Sequence, residues 1–503
     1  MSLYQELDYF HGSIDINECK TLLLEAGDFL IRSTMDGSDN VLSVAAVSTS
    51  GLDDSQSTMA RIRSTQIVNE KGGFCLKGCT DQAFPSIKLL VDNYVESKKS
   101  VIQAEKVPLI RSIARQDWEL KAADVVFPPV DQELGKGSFG KVVKAKYVKN
   151  PENEIDVAVK KMNDTISEQL MSEIFREARV MRMFDHSNVI KLYGVVTEKQ
   201  PIMIVMEYLD GCSLGSALKA KKIPAEFQMS IVAGIVYGLA YVHEKSFIHR
   251  DIAARNILIS NDFKEVKLID FGLSRRGQSY MLKTATKIPM RWLPPEAVWS
   301  GTFSNKSDVW AFGVTIWEIY NDGAEPYGQK KLADVKGILC DPKQLSANML
   351  FLDNCTTDGK PPAELSDIVK SCFSYNAADR PTMSEIMTKL DNDVISKLEG
   401  PALENCKYHQ SRRPPPKSNK PVMMSVPGAS FPSAIATATS TSQIPGSARA
   451  TTEKATMAPP PQKNMGPKAT TQRRKNKAAP PAAQVVAQQM QKTAKRKGTK
   501  GKK

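Results

Sequence analysis

The chain has 503 residues, 41% apolar and 24% charged, which is enough for two or three globular domains with proper cores. No apolar run reaches the roughly 18 residues of a membrane span. The first residues, MSLYQELDYF, carry neither a basic nor an apolar region, and Ser2 is not Gly, so neither a signal peptide nor myristoylation is expected. The formal charge of +13 is uneven: from Cys406 onward 20 Lys and Arg face one acid, Glu453, a local +19 that leaves −6 for the rest. The 8 cysteines follow no regular spacing. Cys75 and Cys79 lack the second pair a zinc site needs, so free thiols in a reducing, cytoplasmic setting are expected.

In chain order, Tyr9-Phe10-His11-Gly12 precedes an amphipathic helix over Asn17 to Glu25, closed by Gly27. Strands follow at Phe29-Leu30-Ile31-Arg32, Val41 to Val47, Arg61 to Val68 and Gly73 to Leu76. A second helix runs from Ile87 to Tyr94, with Leu90, Val91 and Tyr94 on one face. The order helix, antiparallel sheet, helix, with FHG at the start, GDFLIRST, and FPSIKLLVDNY at the close, resembles an SH2 domain over 8–98. The resemblance implies that Arg32 grips phosphotyrosine bidentately, with Thr34 where the family has a Ser hydroxyl. Two departures stand out. Ile16 takes the place of a frequent second arginine, and the usual His of the fourth strand is missing, so Arg63 or its neighbour Arg61 is the expected substitute donor.

A linker over 99–123, with Trp118 set to pack on the next domain, leads to Leu134-Gly-Lys-Gly-Ser-Phe-Gly-Lys-Val142 between two strand-like runs. A lone G-x-G-x-x-G is a weak signal. Here, however, a strand continues after it and a lysine stands about 20 residues on, in Val157-Ala-Val-Lys160, where a dinucleotide turn would need a helix and an acid. A helix over Ser167 to Met183 carries Glu177. Strands at Ile190 to Val196 and Ile202 to Met206 run into Glu207-Tyr208-Leu209. A buried helix around Ile231 to Val242 precedes the loop His249-Arg-Asp-Ile-Ala-Ala-Arg-Asn256. A short strand then ends in Asp270-Phe271-Gly272, and Trp292-Leu-Pro-Pro-Glu-Ala297 and Ser307-Asp-Val-Trp310 follow.

These motifs resemble, in order and spacing, those of protein kinases. The resemblance implies that Leu134, Gly135, Gly137, Ser138, Gly140 and Val142 cradle ATP. Lys160, paired with Glu177, would hold its phosphates, and backbone at Glu207 and Leu209 would meet adenine, with Met206 guarding the pocket behind. Asp251 would accept the substrate hydroxyl proton, and Asn256 and Asp270 would hold Mg2+ (or Mn2+). Glu296 is expected to pair with Arg380, and Asp308 to brace the catalytic loop; Pro294 departs from the usual Ala or Ser. Ala253-Ala254-Arg255 and Ile288-Pro-Met-Arg-Trp292 are similar to the tyrosine-kinase forms, with Arg255 positioning the acceptor. Tyr280 stands in the loop that kinases use as a switch, within reach of Arg250 or Arg275.

The expected architecture is therefore α+β and multidomain: an SH2 domain, a bilobal kinase over 124–395, and a disordered basic Pro/Ala/Thr-rich tail over 400–503. The joint order resembles most the Fps/Fer group of cytoplasmic tyrosine kinases, in the short SH2–kinase form numerous in nematodes. That implies tyrosine-bearing protein substrates and phosphotyrosine partners. The tail's cations are suited to an anionic membrane surface, the inner face of the plasma membrane included, while nucleic acid is not an expected partner. The competing reading is an SH2 adaptor with a catalytically weak kinase domain.

Overall fold

A computed structural model describes residues 4, 6–34, 40–46, 61–70, 72–102, 106–137, 140–150, 152–163, 167–282, 289–353, 355–356 and 360–413. The first unit holds α1 (Ile16–Leu22), β1 (Asp28–Ser33), β2 (Asn40–Ala46), β3 (Arg61–Glu70), β4 (Gly73–Leu76), β5 (Cys79–Phe84), α2 (Ile87–Ser97) and β6 (Arg111–Ser112). Its strands order as β5-β4-β3-β2-β1-β6, antiparallel except for β1 with β6. Strand alternation sorts the faces. Phe29, Ile31, Leu42, Val44 and Ile67 pack under α2, while Leu30 and Ala45 face α1. Asp15 caps α1 by accepting the Glu18 N–H at 2.7 Å.

The second unit begins with β7 (Glu119–Leu120), β8 (Val125–Val126), β9 (Gln132–Gly137), β10 (Gly140–Asn150), β11 (Asn153–Met162), α3 (Glu168–Met181), β12 (Leu192–Val196) and β13 (Met203–Glu207). Their sheet runs β7-β12-β13-β11-β10-β8, with β9 paired to β10. A mostly helical lobe follows. It comprises β14 (Gly211–Ser213), α4 (Leu214–Lys219), α5 (Ala225–Glu244), β15 (Phe247–Ile248), β16 (Ile257–Ser260), β17 (Val266–Leu268), β18 (Arg275–Arg276), β19 (Ser279–Met281), α6 (Pro295–Ser300), β20 (Thr302–Ser304), α7 (Asn305–Tyr320), α8 (Leu332–Cys340), α9 (Pro342–Ala347), α10 (Ala363–Cys372), α11 (Met383–Lys389) and α12 (Gly400–Ser411). Helix α5 is long and apolar enough to cross a membrane, but 83% of its apolar window is buried inside the lobe.

The stretch expected as a linker is built into both units. β6 extends the first sheet and β7 the second. Arg115 pairs with Glu198 at 2.6 Å, and His11 Nδ1 lies 2.8 Å from Glu119 Oε1. The Arg182 guanidinium stacks on Trp118, 3.9 Å from its ring centre. One apolar cluster runs from Ile14, Cys19 and Leu23 of the first unit into Met171, Ile174 and Phe175 of α3. Within it, buried Glu18 accepts from Arg179 at 2.7 and 3.0 Å and also from Arg182. Sequence periodicity does not show such a contact, because a glutamate in a short helix looks like any solvated acid.

The tail boundary needs correction. Residues 400–411, expected to be disordered, form α12 against α5, burying Cys406 and His409. Asn188 Nδ2 lies 3.0 Å from His409 Nδ1, and Arg413 forks onto Asp391 at 2.7 and 2.8 Å. Burial of an apolar Leu403/Cys406 face offsets the cost of ordering this helix. The rest of the expected tail lies outside the described residues.

Candidate active site

Val157 and Val159 of β11 face the core that holds Val143 and Ala145, so alternate Ala158 and Lys160 face the other way, toward α3. The Lys160 ammonium lies 2.9 Å from both oxygens of Glu177, which is buried. Burial raises the Glu177 carboxyl above the usual range, and attraction to Lys160 opposes this. Across the β9–β10 hairpin Gly135 pairs with Val142 and Gly137 with Gly140. A Cβ on Gly140 would lie 1.9 Å from the Lys161 carbonyl oxygen, so only glycine fits there. A Cβ on Gly135 would meet nothing within 4 Å, so packing within the protein does not demand that glycine. Ser138 lies outside the described residues. Leu134 is exposed and Val142 half-buried. Met206 pairs with Ala158 at the end of β13. Glu207 pairs with buried Lys267 at 2.6 Å, and neither the N–H nor the C=O of Leu209 has a hydrogen-bond partner among the described residues.

The loop after β15 is shaped by Asp308 at the start of α7. Its carboxylate accepts the N–H of His249 at 2.7 Å and of Arg250 at 2.8 Å, and it lies 2.9 Å from His243 Nε2. Arg250 adopts φ 72°, which folds the loop back. Arg255 donates to Asp251 Oδ1, while Asn256 Nδ2 donates to the Asp251 backbone oxygen and Oδ2, each at 2.8 Å. These bonds occupy the Asn256 NH2 and leave its amide oxygen available. The Ile269 N–H donates to the Asn256 C=O at 3.0 Å, tying this loop to Asp270, whose φ is 64°. Phe271 is buried, 4.9 Å from the His249 ring and 4.9 Å from the Phe184 ring. A Cβ on Gly272 would lie 3.3 Å from Asp270 Oδ1 and 3.6 Å from Glu177 Oε2, so Asp270 and the Lys160–Glu177 pair border one space.

Glu296 and Arg380 form a forked pair at 2.7 and 2.8 Å that locks α6 to the lobe. β19 pairs with β20, and the Tyr280 ring lies under the Arg250 guanidinium, 4.4 Å from its centre, with Arg275 at 5.2 Å. Burial, then repulsion from Arg275, draws the Arg250 group down to about 10. Nε and Nη2 of Arg250 and Nε of Arg176 are buried without a hydrogen-bond partner among the described residues. Arg176 was not singled out from the sequence; its donation to the Gly272 C=O at 3.2 Å arises only in the fold.

In the first unit, Arg32 lies on the α1 face of the sheet, and its Nε donates to Ser43 Oγ at 3.2 Å, which lies 2.9 Å from Ser64 Oγ. Thr34 follows directly after β1, half-buried and with a partner of its own. Arg63 does not join them. The unbroken β2–β3 register sets Ser64 opposite Ser43 and Arg63 opposite Val44, so Arg63 belongs to the α2 face. The expectation that it substitutes for the missing His is thereby overturned, and on the Arg32 face Ser64 is linked to Arg32 through Ser43. Counting back in twos from buried Ile67 would have given this parity from sequence.

Residues 129–390 match the family described as protein tyrosine and serine/threonine kinase. The chain is 31% identical over 391 residues to Fer-related kinase 1 of Caenorhabditis elegans, covering 78% of this chain and 94% of that protein. It is 31% identical over 391 residues to tyrosine-protein kinase Fer of Homo sapiens, of which it spans 44%. It is 29% identical over 388 residues to the Fps transforming protein of avian sarcoma virus strain PRCII, of which it spans 66%. The chain thus spans nearly all of the worm relative but less than half of the human one. With this coverage and the kinase motifs gathered at one cleft, the chain belongs to the protein tyrosine and serine/threonine kinase family, in the group of the Fps and Fer tyrosine kinases.

Proposed function

We propose that the chain is an ATP-dependent protein tyrosine kinase, passing the γ-phosphate of ATP to tyrosine hydroxyls, with an N-terminal SH2 domain that binds phosphotyrosine. One observation carries this reading. Lys160–Glu177 and Asp270 border one space, and the Ile269 N–H to Asn256 C=O bond ties the loop of Asp251, Arg255 and Asn256 to Asp270. Arg255 and Asn256 hold the Asp251 carboxylate, which takes the proton of the acceptor phenol. Lys160, aimed by Glu177, holds the phosphates. The open backbone of Leu209 is suited to adenine, and the Gly135 region leaves room for close approach.

The donor set fits Mg2+ (or Mn2+): the free amide oxygen of Asn256 and the exposed carboxylate of Asp270 are hard oxygen ligands, sufficient when phosphates supply the rest. That ion would neutralise phosphate charge. Catalysis is then mainly positioning and electrostatic stabilisation. Arg32, Thr34 and Ser64 form the phosphotyrosine end of the SH2 unit, whose partners are phosphotyrosine proteins. Tyr280 is the regulatory residue. A phosphate there would meet the unpartnered donors of Arg250 and Arg176, which supports ordering of its loop on modification. A cytoplasmic location, with the basic tail drawn to anionic membrane, completes the reading.

The test is transfer of labelled phosphate from ATP to a mixed Tyr, Ser and Thr peptide pool, parent against Asp251→Asn. Phosphotyrosine from the parent alone is expected. Phosphoserine product would overturn the substrate class, and no product from either chain would favour an adaptor.

A further inference from the structure

Helix α7 touches the catalytic loop at both ends. At its start Asp308 holds His249 and Arg250. At its end Glu318 turns one carboxylate oxygen, Oε2, toward two N–H donors: the Ala254 backbone at 3.0 Å and Trp292 Nε1 at 2.9 Å. Ala254 precedes Arg255, and the Arg255 guanidinium, while donating to Asp251, lies over the Trp292 ring, 4.5 Å from its centre. A closed circuit results: Asp251, Arg255, Trp292, Glu318, Ala254, and back into the loop.

A carboxylate here is costly on general grounds. Glu318 is only 6% exposed, and it sits in the last turn of a helix, where the macrodipole disfavours negative charge. Burial accordingly raises its carboxyl above the usual range, with the two N–H donors and then Arg255 and Lys219 pulling the other way. A residue with two penalties and two donors from separate functional segments does more than fill space.

We propose that Glu318 is the positioning residue that locks the acceptor platform at Trp292 to the catalytic loop, so that the acceptor tyrosine meets Asp251 at a fixed depth. This rests on the kinase reading of the site. Glu318 touches neither nucleotide nor acceptor; it acts through Trp292 and Arg255. On the nucleotide side of the cleft, Lys160 and Glu177 lie on other elements.

The prediction therefore separates the two substrates. In the full chain, Glu318→Ala should lower kcat/KM for a tyrosine peptide by about tenfold or more, the scale of a lost charge-assisted bond plus an unpaired buried donor. Its KM for ATP, and ATP hydrolysis without peptide, should change much less than peptide transfer. Glu318→Gln keeps an oxygen that can accept from both N–H groups, so it should restore most of the peptide activity. Trp292→Phe keeps a ring beneath Arg255 but removes one donor. It should raise the peptide KM several-fold with little change in the ATP constants, which keeps the test decisive if Glu318→Ala folds poorly. Parent-like peptide kinetics in Trp292→Phe, or parallel losses in peptide transfer and peptide-free hydrolysis in every variant, would overturn the positioning role. A parent that transfers no phosphate at all would instead remove the kinase reading beneath it.

Discussion

Glu18→Ala tests how the first unit controls α3. The glutamate is buried, and two arginines of α3 and its C-terminal end donate to it, Arg179 through two nitrogens and Arg182 through one. Removing one partner of a fully buried ion pair costs about 3–5 kcal/mol. Here the Arg179 and Arg182 side chains remain 32% and 20% exposed, so both rehydrate partly once the acid is gone. About 2 kcal/mol is the reasonable figure, or roughly thirtyfold in the docking equilibrium. Two positions before Arg179 on the same helix, Glu177 holds Lys160. Loosening α3 should therefore lower kcat/KM toward a tyrosine peptide by up to that factor and speed amide exchange along α3. Reversing the charges, Glu18→Lys with Arg179→Glu and Arg182→Glu, should recover part of both. Unchanged exchange and unchanged activity in Glu18→Ala would refute the coupling.

Arg32→Ala should weaken phosphotyrosine-peptide binding by about a hundredfold, whereas Arg63→Ala should leave it unchanged because that side chain belongs to the opposite face; calorimetry on both variants decides. Glu177 makes activity and stability diverge with pH. Its folded-state carboxyl titrates above the unfolded value, so the fold binds the extra proton, and this group's contribution to stability is full in acid and lost as pH rises through the folded value. The ion pair with Lys160 needs the ionised form, so kcat/KM should fall on acidification at a pH above the ordinary carboxylate range, with no matching loss of urea resistance. A pH–rate limb at the ordinary carboxylate value would contradict this. Truncation after Glu399 should cost the helical lobe about 3 kcal/mol or more through exposure of the α12 contacts at Leu403, Cys406 and His409, read as a lower urea midpoint. Tyr280→Phe should abolish any activation that follows preincubation with ATP, measured as the lag in peptide phosphorylation.

Most of the cleft was legible because its chemistry is written locally. The spacing from Lys160 to Asp270 survives any detail of packing, and strand alternation alone turns Lys160 away from the Val157/Val159 core. The two-residue parity of β3 is equally local, and it puts Ser64, not Arg63, on the Arg32 face. What sequence could not supply were contacts made at a distance: Glu18 with Arg179, Trp292 with Glu318, and His409 with Asn188. Each involves a polar residue whose solitary appearance is that of solvated surface. α12 was missed because proline and alanine around Pro401 suggested a tail, although Leu403, Cys406 and His409 recur every three residues on the face that becomes buried.

Gly12 carries a consequence for the evolution and engineering of this two-part arrangement. It holds φ 63°, and a methyl group added to it would stand 2.3 Å from the Thr197 carbonyl oxygen, the same atom that accepts from the Ser13 N–H at 2.8 Å. At this point the two parts are therefore keyed by main-chain atoms, alongside the side-chain pairs of Glu18 and Arg115. A grafted front half from another kinase would not seat unless it carried this glycine, and gradual retuning of the joint by single surface substitutions is closed off at that point.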